Sequence, residues 1–198
     1  MKIKTPFFDI KIDIIFIIIM FIFLFSNNIR SFLSSYLICY LFIVFHESSH
    51  MFVATLFGKE IEIFNIGLFG VNIVFKKLRY NLEENYLSKK YLIRDIFIFL
   101  AGPLSNLVLA IIFKNIKVVY DINIFLCILN LIPVYPLDGY NIFKNMLLLK
   151  LDERNTDKII NIISYIVFLI LFICGILIFI LLYNHNRLIA TIKLFYLT

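Results

Sequence analysis

His46, Glu47 and His50 stand in the stretch FIVFHESSHMFVATLFG, Phe42 to Gly58, which is otherwise almost wholly apolar. Two imidazoles and a carboxylate buried there without partners would cost several kcal/mol. On a helix, positions four apart share a face. The H-E-x-x-H spacing therefore sets His46 and His50 side by side, as two nitrogen ligands for one metal ion. Glu47 leans toward the same site, where it can take a proton from an activated water. Catalytic zinc usually has three protein ligands and leaves a fourth position for water. Asp138 is the candidate third ligand. It stands in P-L-D-G, where Pro133 and Pro136 prevent a regular helix and Gly139 allows a sharp turn. A helix broken in this way lets a carboxylate point inward and frees backbone groups to contact a substrate. Other readings of the same residues stay open at this point. The histidines and Glu47 fit a polar helix–helix contact or a proton or ion relay, and Asp138 fits a turn residue capping the next helix. Asn130 fits a hydrogen bond to another helix, and Gly102 and Pro103 fit close helix packing with a kink.

The elements that must position these residues are membrane helices. Hydrophobic residues make up 62% of the 198, and charged residues only 16%, where a soluble domain carries about 25% charged. Mean hydropathy is +0.97. Runs approaching the roughly 20 apolar residues that a span needs lie at about Ile10–Phe25, Phe32–Phe57, Asp95–Phe113, Val118–Leu137 and Ile159–Tyr183. The tail Arg187–Leu197 is a short apolar piece, either interfacial or an incomplete sixth span. The segment IEIFNIGLFGVNIVF, Ile61 to Phe75, is too short and glycine-rich to span, and its turn signals predict a re-entrant β-hairpin around Gly67 and Gly70, with an interfacial loop of apolar face as the alternative. The fold class is thus an all-α polytopic membrane protein of five to six transmembrane helices with a re-entrant hairpin after the second. No repeat or linker divides it, so 1–198 reads as one membrane-embedded domain.

The net charge of +6 does not point to nucleic acid, because the basic residues lie between apolar runs and read as topology signals and contacts with the lipid bilayer. Lys2, Lys4 and Lys11, the basic-rich 58–94 segment and the 139–158 segment belong on the cytoplasmic side. That arrangement brings His46, His50 and Asp138 toward the cytoplasm. Cys39, Cys127 and Cys174 sit singly in apolar stretches without ligand spacing. No cleavable signal peptide is expected, since the first apolar run ends in FLFSNNIR. His185, in the NHN sequence after the fifth run, reads as a loop residue.

Three motifs together, H46-E-S-S-H50, A101-G-P-L-S-N106 and N130-L-I-P-V-Y-P-L-D138-G139, resemble the site-2 protease family of intramembrane zinc metalloproteases. The resemblance covers about residues 30–145, the family's catalytic core, and is nearest to the stage IV sporulation protein FB branch. It implies one Zn2+ per chain on His46, His50 and Asp138, with Glu47 as general base. It also implies that Asn130 and Pro133 contact the substrate backbone, and that the hairpin around Gly67 and Gly70 accepts an unwound substrate as an added strand. The implied substrate is a membrane-associated or transmembrane protein, in the sporulation branch a pro-sigma factor, and inhibitory membrane partners belong to the same picture. The implied location is a bacterial cell membrane, the one surrounding the forespore if the sporulation reading holds. That branch often carries a nucleotide-binding CBS domain after the last span. The chain ends at Thr198 without room for one, so regulation by nucleotide is not expected. A metal transporter or sensor would use His46, His50 and Asp138 equally well, but it would leave Glu47 without a task and would need a polar path that the fifth run does not offer.

Overall fold

The apolar run around the histidines forms a single helix, α2, Arg30–Leu56, of 27 residues. At 1.5 Å per residue it is about 40 Å long, enough to cross a hydrocarbon core of about 30 Å. It stops because Gly58 takes a left-handed conformation, φ +79°, and Gly58 N–H and Lys59 N–H donate to Thr55 O and Ala54 O at 2.9 Å each, satisfying the final carbonyls. The Arg94 guanidinium donates to Phe57 O and lies over the Phe57 and Tyr91 rings. The computed structural model describes residues 2–4, 9–25, 30–68, 70–75 and 88–195. The basic residues Lys76, Lys77 and Arg79 lie outside the described residues.

The hairpin expected after α2 forms, as β3 (Ile61–Gly67) and β4 (Gly70–Phe75), paired antiparallel. Two further strands precede it in the chain, β1 (Lys2–Lys4) and β2 (Asp9–Ile12), giving one sheet in the order β1-β2-β3-β4. β2 runs parallel to β3, with Ile10 opposite Phe64 and Ile12 opposite Ile66. The sheet packs on α2, where Tyr40, Phe64 and Val71 form a buried cluster flanked by Tyr36, Val44 and Ile73. The turn of the hairpin is tied to α2 by two tyrosines. Tyr40 Oη donates to Gly67 O at 2.8 Å, and Tyr36 Oη donates to Leu68 O. Tyr40 precedes His46 by six residues, about 9 Å along the helix, so the hairpin folds back along α2 beyond the level of the histidines. Gly70, with φ +147°, makes that turn.

β2 corrects the reading of the first apolar run. Asp9–Ile12 is strand, and α1, Ile14–Phe25, has only 12 residues, about 18 Å of helix. The fourth run is also shorter than expected. α4, Lys117–Leu131, has 15 residues and ends before Pro133, leaving Ile132–Leu137 as a loop. α3 (Lys89–Ile112) contains the AGPLSN motif, and α5 (Asp138–Leu148) opens on the aspartate. α6 runs unbroken from Glu153 to Phe195. The tail and the NHN sequence therefore continue the last helix instead of making a turn and a separate piece, since no glycine or proline interrupts 184–195. Among the described residues three helices are long and apolar enough to cross a membrane: Leu33–Leu56, Lys89–Ile112 and Glu153–Tyr183. The expected count of five to six also included the runs that became α1 and α4. α3 packs against α2, α4 and α5, while α6 packs on α5.

Candidate metal centre

His46 and His50 project from consecutive turns of α2 toward α3, as the four-residue spacing requires. Both are buried, 4% and 6% exposed. α3 can come this close because Gly102 has no side chain: a Cβ there would lie 2.3 Å from His50 Nε2 and 2.5 Å from His46 Nε2. Asp138 arrives from the other direction, on the first turn of α5. Gly139 lets that turn sit against the end of α4, where a Cβ would lie 2.4 Å from both Leu131 O and Ile132 O. The requirement is thus close approach, and not the backbone dihedral of a sharp turn, since Gly139 has no positive φ.

Three ligand atoms converge. His46 Nε2 is 2.9 Å from Asp138 Oδ2, His50 Nε2 is 3.1 Å from the same oxygen, and the two Nε2 atoms are 3.1 Å apart. His50 Nδ1 donates to Ile98 O at 2.6 Å, which fixes its proton there and turns the Nε2 lone pair inward. Lone pairs from two imidazoles and a carboxylate facing one another at such distances call for a cation. Ligands around tetrahedral zinc with bonds of about 2.0 Å sit about 3.3 Å apart, close to the spacing here, so the donor set fits that ion. His46, His50 and Asp138 form the one such metal-ligand grouping among the described residues. Glu47 is half-buried on the same helix, within electrostatic reach of both histidines and Asp138.

The remaining candidates are spread more widely. Asn130 lies near the end of α4, and its Nδ2 donates to Leu126 O of its own helix at 3.0 Å, with no bond to another helix among those seen. Pro133 is in the loop leading to Asp138. Gly67 and Gly70 are the turn of the hairpin, not the middle of its strands. β4 is the outer strand of the sheet, with no strand beyond it among the described residues.

Several contributors carry no distinctive signal in the chain. Tyr36 and Tyr40 look like ordinary apolar-run aromatics. Tyr140 Oη donates to Asn161 Oδ1 at 3.0 Å, and Tyr135 N–H donates to Ser164 Oγ at 3.2 Å, clipping α6 to the segment that delivers Asp138. Asn161 and Ser164 are polar breaks in the longest apolar run, and that contrast is the one signal that marks them. A cavity of about 330 Å3 lies beside the centre, lined by Lys59, Asp95, Phe99, Asn141, Lys144 and Glu153 among others. Its Phe99 ring is 6.5 Å from the His50 ring. Lys59 and Asp95 pair at 2.6 Å across it. Asp157 stands 2.8 Å from Lys144 and holds that ammonium above the usual lysine range.

The pattern of Peptidase family M50 matches residues 35–121, which include the H-E-x-x-H helix and the AGPLSN helix. No curated protein matches the chain. Among solved structures the chain is similar to the site-2 protease from Methanocaldococcus jannaschii, with a TM-score of 0.59 at 23% identity over 89% of this chain and 85% of that one. The fold is that of a site-2 protease. The three apolar helices fit a membrane protein, and the family match spans less than half of the chain. It ends short of Asp138, whose place beside the histidines rests on the geometry alone.

Proposed function

We propose that this chain is an intramembrane zinc metalloprotease that hydrolyses a peptide bond of a membrane-associated or transmembrane protein. The observation that carries the reading is the convergence of His46, His50 and Asp138 within 2.9–3.1 Å, with Glu47 adjacent. His46, His50 and Asp138 would hold a zinc ion, which would supply Lewis acidity and lower the pKa of water toward 7. Glu47 takes the proton of the attacking water and returns it to the leaving amine. Its half-buried position suits a group that must exchange protons with water. We read the polar cavity from Glu153 and Lys144 to Phe99, whose ring faces His50, as the route of water toward the site, on the side that the positive-inside pattern assigns to the cytoplasm.

A helical substrate hides its carbonyls in intrahelical bonds and must unwind to be cut. The edge of β4, which no described strand covers, can pair with the unwound segment, with Gly67 and Gly70 setting the turn that holds the edge at membrane depth, and Asn130 and Pro133 contact the substrate backbone beside the metal. The likeness of the motifs to the sporulation branch makes a pro-sigma factor the first substrate to try, and a bacterial membrane the place to look.

The test pairs activity with metal content. Wild type and Glu47→Gln are reconstituted with a membrane-anchored reporter, and zinc is measured in both. Equal zinc with cleavage only in wild type is the expected result. Equal zinc with equal cleavage removes Glu47 from the mechanism. Zinc without cleavage in either favours a protein that carries or senses the metal, since that role leaves Glu47 idle.

A further inference from the structure

Four buried polar atoms have no hydrogen-bond partner among the described residues: His46 Nδ1, Asn106 Oδ1 and Nδ2, and Asn123 Oδ1. Asn106 and Asn123 are 0% exposed and His46 is 4% exposed, so bulk water does not serve them, and atoms so placed are nearly always paired in folded proteins. The four divide evenly. His46 Nδ1 and Asn106 Nδ2 are donors, while Asn106 Oδ1 and Asn123 Oδ1 are acceptors.

They lie on three helices, His46 on α2, Asn106 on α3 and Asn123 on α4. α3 meets the histidines through Ile98, whose carbonyl takes the His50 Nδ1 proton, and through Gly102, which abuts both imidazoles. Asn106 is one turn further on and shares their face. α3 also packs on α4. There Asn123 uses its Nδ2 on Val119 O at 2.9 Å and keeps Oδ1 for another donor. The tautomer of His46 gives this set a direction. Its Nε2 faces Asp138 Oδ2 at 2.9 Å and His50 Nε2 at 3.1 Å, so as a ligand it must carry its proton on Nδ1. A ligating histidine gives that proton to an oxygen acceptor that fixes the ring. Ile98 O does this for His50, and no described group does it for His46.

We propose that Asn106 is the positioning residue of His46: its Oδ1 accepts the Nδ1 proton of His46 through a buried water, and its Nδ2 donates onward in the same way toward Asn123 Oδ1. The relay locks the His46 tautomer and ties the ligand helix to α4, whose end leads through Asn130 and Pro133 to Asp138. It rests on the metal-centre reading above but not on proteolysis.

The experiment measures zinc affinity of the full chain in detergent, by competition with a chromogenic chelator, alongside thermal melting of the metal-free protein. Asn106→Leu removes the acceptor and weakens zinc by about 10- to 100-fold. Asn106→Asp keeps an acceptor oxygen and stays within about threefold of wild type, a rescue that a purely packing role would not give. Asn123→Leu, which leaves the face of α3 intact, weakens zinc in the same direction by a smaller factor. Wild-type affinity in Asn106→Leu, or equal weakening in Asn106→Leu and Asn106→Asp, overturns the proposal. Unchanged affinity in Asn123→Leu removes α4 from the relay. Wild type without zinc removes the metal centre itself and the relay with it. A zinc-binding wild type that cleaves nothing leaves the relay standing while the protease reading fails.

Discussion

Gly102→Ala is the smallest change that should dismantle the centre, and its size follows from the coordinates. The new methyl would lie 2.3 Å from His50 Nε2, 2.5 Å from His46 Nε2 and 2.6 Å from His46 Cε1, whereas real Cβ atoms essentially never come under 3.0 Å. Reaching an ordinary contact of 3.4 Å needs about 1 Å of movement. Metal–ligand distances tolerate only about 0.2 Å. His50 is held by Ile98 O at 2.6 Å, from the helix that carries Gly102, so either the imidazole leaves that acceptor or α3 backs away and stretches the bond. Overpacking of this kind costs about 1–3 kcal/mol. Borne by the metal-loaded state, that is roughly a 5- to 150-fold loss of zinc affinity, at 1.4 kcal/mol per tenfold. Gly175 supplies the control. It lies in α6, where an added methyl would meet nothing within 4 Å, and there Gly→Ala should stabilise the helix by up to about 1 kcal/mol. The assay is chelator competition for zinc together with thermal melting, on both variants and wild type. A Gly102→Ala protein that holds zinc within about threefold of wild type would refute the packing argument, because a strain below about 0.7 kcal/mol cannot accompany such an overlap.

Three further outcomes follow from the same geometry. Asp138→Ala removes one of three ligands and should weaken zinc by more than the roughly 100-fold that losing a ligand's supporting hydrogen bond reaches, read by elemental analysis after dialysis. Tyr40→Phe removes the hydroxyl from Gly67 O, so the hairpin should lose about 1 kcal/mol while zinc content stays at the wild-type level; faster hydrogen exchange at Gly70 and Val71 is the readout. In a reconstituted cleavage assay the same variant should raise KM more than it lowers kcat. Ser164→Ala removes the acceptor for Tyr135 N–H, and protection from exchange at Tyr135 should fall without a change in the pattern for α2 and α3.

The centre is legible where its chemistry is local in sequence. His46 and His50 need only helical spacing to share a face, and Asp138 follows two prolines that could not lie within a helix. The hairpin is legible too, because glycines and asparagines interrupt an apolar run too short to span. Strand β2 is hidden for the opposite reason. Its D-I-K-I alternation has the period of a strand, but four residues carry little weight beside the continuous apolar run of α1 that follows. What makes them strand is lateral pairing to β3, from a distant part of the chain. The continuation of α6 through 184–195 is masked because asparagines suggest turns, whereas in a helix already nucleated by a long apolar run their cost is only a fraction of a kcal/mol each.

Gly102 and Asn106 show where pattern reading stops. A glycine and an asparagine four apart in an apolar helix have the same appearance whether they face lipid, a neighbouring helix or a ligand. Which applies depends on how α3 is rotated about its axis, and that rotation is set from outside the motif. Pro103 is buried and Arg94 is anchored to Phe57 O. Lys59 and Asp95 join the end of α2 to the first turns of α3. Together these contacts fix the phase of α3 near its start, and Ile98, Gly102 and Asn106 then fall toward the histidines at four-residue intervals. The site therefore needs the α2–α3 packing to be correct over several turns before a single ligand is in place. A substitution at Asp95 or Lys59, remote from the metal, should for that reason act on zinc affinity through the rotation of α3, and its effect should not add to that of Asn106→Leu, since both pass through the same helix face.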